Sequence, residues 1–476
     1  MIDLRGTGLS ELRQEMTNTH NRLHSINRDS TFVGQVAQSG SLPVVPNLRC
    51  GAWYVDPSLV SGLMVPLGGT SFAYFKSTDG HTSQWDFNLR RANLHLLPLI
   101  IAHGGIILVD STRRGKRHPD ALSRTVPIWC AVINRTLGLK GEHSCLYTPP
   151  DSVSPSEHAQ MEDKVNEWAK LLEDSTYNLP NLTKPLRPFW ISPDSSNPRV
   201  PTVNESSAFY AIVCVSASQR VQDGVDRRLG YTYVQGSGDD HEMWSQGLTP
   251  NLFWRYKLEL LACPREDLDR LICDILDMER DTSDIATLHE IRAARGRLLV
   301  GSWAASRTIN EMVREPYAML ILNDAKSSSI DHPESKLLDG AASVSDPLGP
   351  PPPVLHVMGY YPRQHPTEFL THTLPASLKF IQSHLSVSPS SRVAILCKDA
   401  KDLSVGVATT FLALYFNDAG EFSINTPGTV TKDLVRRRLQ WVISSCPNAN
   451  PARATLKRIN EYLMSPNRPS LRSNPR

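Results

Sequence analysis

The stretch Gly104–Arg117, GGIILVDSTRRGKR, constrains the fold of this chain more than any other. Two glycines open onto Ile106–Val109, four branched apolar residues in a row. A short continuous apolar run bounded by turn residues reads as a buried strand. The run stops at Asp110, and Ser111, Thr112, Arg113, Arg114, Gly115, Lys116 and Arg117 then crowd hydroxyls, backbone donors and four cations into the following loop. In open α/β sheets ligands collect at the carboxyl ends of strands. Guanidinium groups grip phosphate oxygens bidentately, whereas lysine acts as a point charge. The same residues would also suit a solvated basic turn after a core strand.

At 476 residues the chain exceeds what one hydrophobic core sustains, so two or three domains are expected. A formal net charge of +2 announces no polyanion partner by itself. The charge is unevenly spread, however. From Gly428 onward ten Lys and Arg face only Asp433 and Glu461, a balance that suits either a polyanion or a solvated helix face. Eight cysteines (Cys50, Cys130, Cys145, Cys214, Cys263, Cys273, Cys397, Cys446) contain no CxxC pair and no zinc spacing, which predicts reduced, mostly buried thiols in a cytosolic or nuclear protein. The start MIDLRGTGLSELRQEM lacks the apolar core of a signal peptide, and Leu94–Val109 is too interrupted by histidine, proline and glycine to cross a membrane.

Apolar spacing predicts a surface helix over about Leu9–Ile26. The polar loop Lys76–His81 follows an aromatic run, where exposed donors often serve function, although a plain Asp-Gly turn explains it as well. Val126–Ile133 reads as a buried strand or helix start. Ser154-Pro155-Ser156-Glu157 is a capping box, with Met161, Val165, Trp168, Leu171 and Leu172 as the core face of the helix behind it. A proline-rich connection over Leu179–Pro201 should wrap the surface. Ala211–Val215 and Tyr231–Val234 are strand-like, and the second runs into Gly236-Ser237-Gly238-Asp239-Asp240-His241-Glu242. Carboxylates so placed can hold Mg²⁺ or supply a general base, and an acid-rich hairpin is the plainer alternative. Thr249 and Pro250 cap a helix through Leu261, and another is expected over about Pro264–Met278.

The clearest boundary is Asn323–Pro353, rich in serine and aspartate and ending in Gly349 and four prolines. The expected division is therefore an N-terminal domain over 1–322, a linker over 323–353 and a C-terminal domain over 354–476. The overall class is α/β of mixed α+β character. Beyond the linker come a strand at Val354–Met358, a helix near Thr367–Leu385, a strand at Val393–Leu396, the loop Cys397–Ser404 and a helix over Val405–Phe416. A loop at a helix N-terminus binds phosphate through backbone N–H groups and the helix dipole. This unit resembles the phosphate loop of dual-specificity phosphatases, in which a cysteine nucleophile is followed six residues later by arginine and then serine or threonine. Cys397 and Ser404 fit. Leu403 stands where the arginine belongs, Leu396 where histidine usually precedes the cysteine, and Ala400 where glycine is usual. Without that arginine the phosphate dianion and the thiolate both lose their main cationic partner, which argues against phosphatase activity.

Three blocks together resemble one family over about Leu12–Met464. They are Phe75–Arg135, with the basic loop at its centre; Tyr233–Trp254, with the acidic turn; and Cys397–Ala408 followed by Asn450–Met464. The family is the tRNA 2′-O-ribosylphosphate transferases that act on initiator methionine tRNA, which carry a phosphatase-like C-terminal domain. Ala400 again replaces an expected glycine. The resemblance implies transfer of a phosphoribosyl group from 5-phosphoribosyl 1-pyrophosphate to a ribose 2′-hydroxyl of an adenosine in the T stem. The expected setting is cytoplasmic, with a nuclear one also compatible, and no obligate protein partner is inferred from the sequence. The alternative reading is a non-catalytic phosphate- or RNA-binding protein built on an inactive phosphatase-like domain.

Such a transfer needs cations for the leaving pyrophosphate, a carboxylate near the oxocarbenium-like sugar and a base for the attacking hydroxyl. Arg113, Arg114, Lys116 and Arg117 are the leading candidates for the donor phosphates, with Lys76, Ser77 and Thr78 second and Lys398, Lys401, Asp402 and Ser404 as a rival site. Asp239, Asp240 and Glu242 are the candidates for Mg²⁺. Asp240 or His241 is the candidate base, and Asp110 ends its strand where a catalytic acid could stand. Arg436, Arg437, Arg438, Arg453, Lys457 and Arg458 are candidate contacts for tRNA phosphates, while Trp441 and Ile443 beside them belong to core.

Overall fold

A computed structural model describes residues 12–60, 72–76, 85–113, 115–139, 141–279, 288–303, 317–324, 353–424, 430–446 and 448–465. The chain divides into two compact units, Met1–Thr282 and Ser283–Arg476.

In the first unit β1 (Val44–Pro46), β2 (Gly105–Asp110), β3 (Leu186–Ile191) and β4 (Tyr210–Ser216) form a parallel sheet in the order β1-β2-β4-β3. Every residue of β2 and β4 is buried, because the sheet is covered on both faces. Ile106 and Leu108 pack into one core with Leu97 and Ile100 of the helix Leu96–His103 and with Trp129 and Trp168. Ile107 and Val109 face the other way, against Leu23, Ile26 and Val33 of the helix Thr19–Gln38 and against Phe253 and Ile272. Each such aliphatic side chain contributes roughly 1.5–3 kcal/mol by leaving water. Alternation along a strand thus feeds two cores from one apolar run. A hairpin of β5 (Val225–Arg228) and β6 (Tyr231–Val234) completes the strands among the described residues of the unit.

The helix Pro155–Glu173 starts where the capping box predicts, with Ser154 Oγ accepting the Glu157 N–H at 3.2 Å. Four of its expected core residues are buried, but Leu171 is 46% exposed because it falls outside the 161/165/168/172 stripe. The first helix expected over Leu9–Ile26 is broken at Asn18, whose side chain accepts the Asn21 N–H and caps a helix Thr19–Gln38 that runs well past Ile26. The proline-rich connection holds β3, which pairs with β4 from Leu186 to Ile191. Proline is tolerated there because β3 is an edge strand.

The second unit starts earlier than expected. Its strands are β7 (Leu288–Glu290), β8 (Leu298–Ser302), β9 (Tyr317–Asp324), β10 (Val354–Gly359) and β11 (Arg392–Cys397), all parallel except the edge strand β7. They lie in one sheet in the order β10-β9-β11-β8-β7. Three strands from the stretch expected to belong with the N-terminal domain are therefore hydrogen-bonded into this sheet. The division falls at 282/283 instead of at 322, and Asn323 and Asp324 end a strand. All thirteen residues of the helix Leu403–Tyr415 are buried, as a helix apolar on every side should be.

Two glycines give a paired prediction. Gly34 lies inside the helix Thr19–Gln38 with nothing within 4 Å of a Cβ placed there, whereas a Cβ on Gly51 would stand 2.2 Å from the Val109 carbonyl oxygen. Gly34→Ala should raise stability by ~0.5–1 kcal/mol. Gly51→Ala should lower it by ~1–3 kcal/mol. Denaturant unfolding of the two variants checks both signs.

Candidate functional site

β1 and β2 run side by side, so Asn47–Gly51 and Asp110–Arg113 emerge at the same carboxyl edge. Asp110 has no solvent exposure. Its carboxylate accepts from Asn47 Nδ2, from Cys50 Sγ and from the Ser111 N–H, each at 2.9 Å, and Arg49 approaches it at 3.4 Å. Burial, and then the neighbouring carboxylate, push the Cys50 thiol well above its ordinary range, so it stays a donor. Arg49 also donates to the Ser111 carbonyl and pairs through Nη1 with Asp239 Oδ1 at 2.8 Å. Arg113 takes the other Asp239 oxygen through Nε at 3.0 Å and Asp240 Oδ2 through Nη1 at 2.5 Å. Charges therefore alternate across the site: Asp110, Arg49, Asp239, Arg113, Asp240.

The acidic turn is held from three sides. Arg22, on the helix Thr19–Gln38, donates through Nη1 to the carbonyls of Ser237 (2.9 Å) and Asp239 (3.2 Å) while stacking over Trp244. Gln235 accepts the Gly115 and Val221 N–H groups and donates to the Lys116 carbonyl. Gly236 has φ +70°, and a Cβ there would meet the Thr112 carbonyl at 2.7 Å, so two backbones touch and only glycine fits. Asp240 itself takes a left-handed conformation at φ +46°. Non-glycine residues hold such geometry where the surroundings enforce it.

These loops enclose a pocket of about 290 Å³ lined by Asn47, Leu48, Arg49, Tyr74, Phe75, Lys76, Arg91, Arg113, Asp239 and Asp240. Asn47 brings the 72–76 segment there, accepting the Phe75 N–H and donating to the Phe75 carbonyl, both at 2.9 Å. Burial, and then the neighbouring Arg90, lower the Arg91 guanidinium pKa, and Arg91 has no carboxylate partner among the described residues. A half-buried cation without a counter-ion is a place for an anion.

Of the basic loop, Arg113 lines this pocket. Lys116 pairs with Asp120 at 3.1 Å, and Arg117 pairs with Asp151 at 2.6 Å and donates to Ser192. Arg114, Ser77 and Thr78 lie outside the described residues. Asp110 sits beneath the pocket as its organiser. His241 is not among the lining residues, and its ring packs 6.0 Å from that of Trp53. The expectation that Asp239, Asp240 and Glu242 hold Mg²⁺ is not met. Both oxygens of Asp239 and one of Asp240 are committed to guanidinium groups, Glu242 is exposed, and no metal-holding group of three or more His, Cys, Asp or Glu occurs among the described residues. Sequence reading missed Asn47, Arg49 and Arg91 as site residues. The signal for the first two was VVPNLRCG, a strand too short to show a period.

In the second unit the loop Cys397–Ser404 is internally satisfied. Cys397 Sγ lies 3.0 Å from Ser404 Oγ, both buried, and burial raises the thiol pKa, the reverse of what a thiolate nucleophile needs. Ala400 has φ +55°, the conformation that explains the glycine usual there. Leu403, in the arginine position, is buried. Asp402 accepts the Ala452 N–H at 3.0 Å, a structural duty, while Lys398 and Lys401 are exposed. Among the expected tRNA contacts, Arg438 is 2% exposed, pairs with Asp418 at 2.8 Å and stacks over Trp441, so it is a core residue. Arg437 pairs with Asp418 at 3.2 Å and Arg458 with Glu461. Arg436, Arg453 and Lys457 are exposed, and Trp441 and Ile443 are buried.

Residues 12–277 match the family profile described as the Rit1 N-terminal domain, and residues 362–463 match the Rit1 DUSP-like domain. The tRNA A64-2′-O-ribosylphosphate transferase of Saccharomyces cerevisiae is 32% identical over 95% of this chain and 94% of its own length. An uncharacterized protein of Schizosaccharomyces pombe is 39% identical over 58% of this chain and 60% of its own. Among solved structures, human DUSP28 is similar at 15% identity and TM-score 0.24, covering 37% of this chain and 92% of that one. The Yvh1 phosphatase domain from Chaetomium thermophilum is similar at 22% identity and TM-score 0.24, covering 35% and 89%. No helix among the described residues is long and apolar enough to cross a membrane.

Beneath the site, Asp29 accepts hydrogen bonds from Ser218 and Tyr233. Burial raises its pKa from 3.8 to about 8, against the opposing pull of those two bonds and of Arg28. Burial also pushes the facing Tyr233 and Tyr54 hydroxyls up, so they stay neutral. A carboxyl that keeps its proton in the fold favours folding at low pH, and that contribution is lost as pH rises from about 4 to about 8. The unfolding temperature of the wild type should therefore fall relative to that of Asp29→Asn over this interval. Parallel curves would show that Asp29 titrates as an ordinary carboxylate.

Proposed function

The chain belongs to the Rit1 family, and on that footing we propose that it transfers a 5-phosphoribosyl group from 5-phosphoribosyl 1-pyrophosphate to the ribose 2′-hydroxyl of an adenosine in the T stem of initiator methionine tRNA. The product is a tRNA marked against use in elongation, and such sorting places the activity in the cytoplasm. The observation that carries this reading is the gathering of Arg91, Lys76, Arg49 and Arg113 around one pocket at the carboxyl edge of a parallel sheet, with Asp240 at its side.

In the transfer, the bond between the sugar's anomeric carbon and the pyrophosphate oxygen breaks, and a bond to the tRNA 2′-oxygen forms. Arg91 and Lys76 are not paired with a carboxylate among the described residues, so they can meet the negative charge that grows on pyrophosphate. Positive character at the sugar carbon is offset by Asp240, one of whose oxygens is engaged by Arg113. The 2′-hydroxyl proton passes to Asp240, whose carboxylate is half exposed and aimed by Arg113. Asp110 and Arg49 hold this arrangement without touching substrate. The exposed Arg436, Arg453 and Lys457 supply contacts to RNA phosphates, which set affinity and its salt dependence.

Incubating the full chain with labelled donor and initiator tRNA tests the proposal, and label should appear on the RNA. Asp240→Asn should lower kcat by ~10²–10⁴-fold. Arg91→Ala should act mainly by raising the KM for donor. An unlabelled RNA that nevertheless binds the protein would favour the non-catalytic RNA-binding alternative.

A further inference from the structure

Asp29 has no part in the mechanism above, yet through Ser218 it is linked to both loops that build the site. It lies on the helix Thr19–Gln38 and is 3% exposed. Oδ2 accepts the Ser218 hydroxyl at 2.6 Å, and Oδ1 accepts the Tyr233 hydroxyl at 2.9 Å. Ser218 Oγ in turn lies 2.7 Å from Ser111 Oγ and accepts the Gly236 N–H at 3.2 Å. Tyr233 accepts the Gln219 N–H at 2.9 Å and closes the circuit on the segment that follows β4. Ser111, Ser218 and Tyr233 are all buried, so water does not compete for these bonds.

The placement matters because Ser111 is two residues ahead of Arg113, and Gly236 is three and four ahead of Asp239 and Asp240. The side chains of Arg113 and Asp240 are 55% and 42% exposed. Exposed ion pairs are too weak and too mobile to fix their own register. Buried groups must set the distance between the two loops: Gln235 meets the Gly115 N–H and the Lys116 carbonyl, and Ser218, shared by Ser111 and Gly236, is the one that is anchored on Asp29.

We propose that Asp29 is a positioning residue of the transfer site, holding the Ser111–Arg113 loop and the Gly236–Asp240 turn in register through the hydroxyls of Ser218 and Tyr233. This rests on the reading of those loops as the transfer site, and it adds a residue outside the pocket on which the rate depends. Asp29→Asn keeps the volume but replaces one oxygen, which can accept even when it carries the proton, with an amide nitrogen that only donates. The two loops then lose the anchor they share through Ser218 while the sheets and cores persist.

The test uses the full chain, with hydrogen exchange and steady-state kinetics on the same preparations. In Asp29→Asn the amides of 111–117 and 235–240 should lose protection while those of the helix Pro155–Glu173 keep it. The kcat should fall by about 10²-fold, the effect of misplacing reacting groups by about 1 Å, with the KM for tRNA unchanged. Ser218→Ala and Tyr233→Phe should each reproduce part of the effect, and adding Ser218→Ala to Asp29→Asn should cost little more because both act through one network. These two variants also carry the test if Asp29→Asn fails to fold. Lowered stability with loop protection and kcat both at wild-type values would overturn the proposal. A wild type without transfer would instead sink the functional reading, and the exchange data would still decide the role of Asp29.

Discussion

Asp110 ends a strand whose every residue is buried, and its carboxylate must be met by groups that come from elsewhere in the chain. An unpaired carboxylate in such a place would cost several kcal/mol. Asn47, Cys50 and the Ser111 N–H meet it with hydrogen bonds and Arg49 with charge. Arg49 then has a second side to satisfy, which draws in Asp239, and Asp239 draws in Arg113. One buried charge at a strand end thus propagates outward as an alternating ladder until it reaches the half-exposed pair of Arg113 and Asp240. The loops carrying these residues are far apart in sequence, and the ladder gives each a reason to be where it is.

The same ladder engages the carboxylates of the acidic turn. Asp239 and Asp240 look like ligands in a sequence because two adjacent aspartates after glycines can chelate a divalent ion. In the fold their oxygens are turned to guanidinium groups. The pocket's character is set by its cations, of which Arg91 and Lys76 have no carboxylate partner among the described residues. The second unit makes the opposite choice at its own strand-loop-helix junction. There the cysteine and serine satisfy each other, a leucine fills the arginine position, and an aspartate braces a neighbouring helix.

Much of this was legible where the signal is local. Ile106–Val109 could only be a buried strand, and Ser154 with Glu157 fixed a helix start to the residue. What could not be read depends on partners distant in sequence. Arg49 meets Asp110 61 residues away and Asp239 190 residues away, and no window contains both. β1 is three residues long and ends in proline, too short for any period to show. β3 was hidden by prolines that only an edge strand tolerates. Arg438 is different, because the clue was present. It shares the Val435, Leu439 and Val442 stripe of its helix, so helical spacing places it inward, whereas the triplet of arginines suggests a surface.

The central claim is that donor phosphate is taken at the carboxyl edge of the first sheet. Crystals of the full chain grown with 5-phosphoribosyl 1-pyrophosphate would locate it directly. Phosphate oxygens within hydrogen-bond distance of Arg91 and Lys76 are the predicted result. A donor seated instead in the loop Lys398–Ser404, with the pocket at Arg91 empty, would contradict the account.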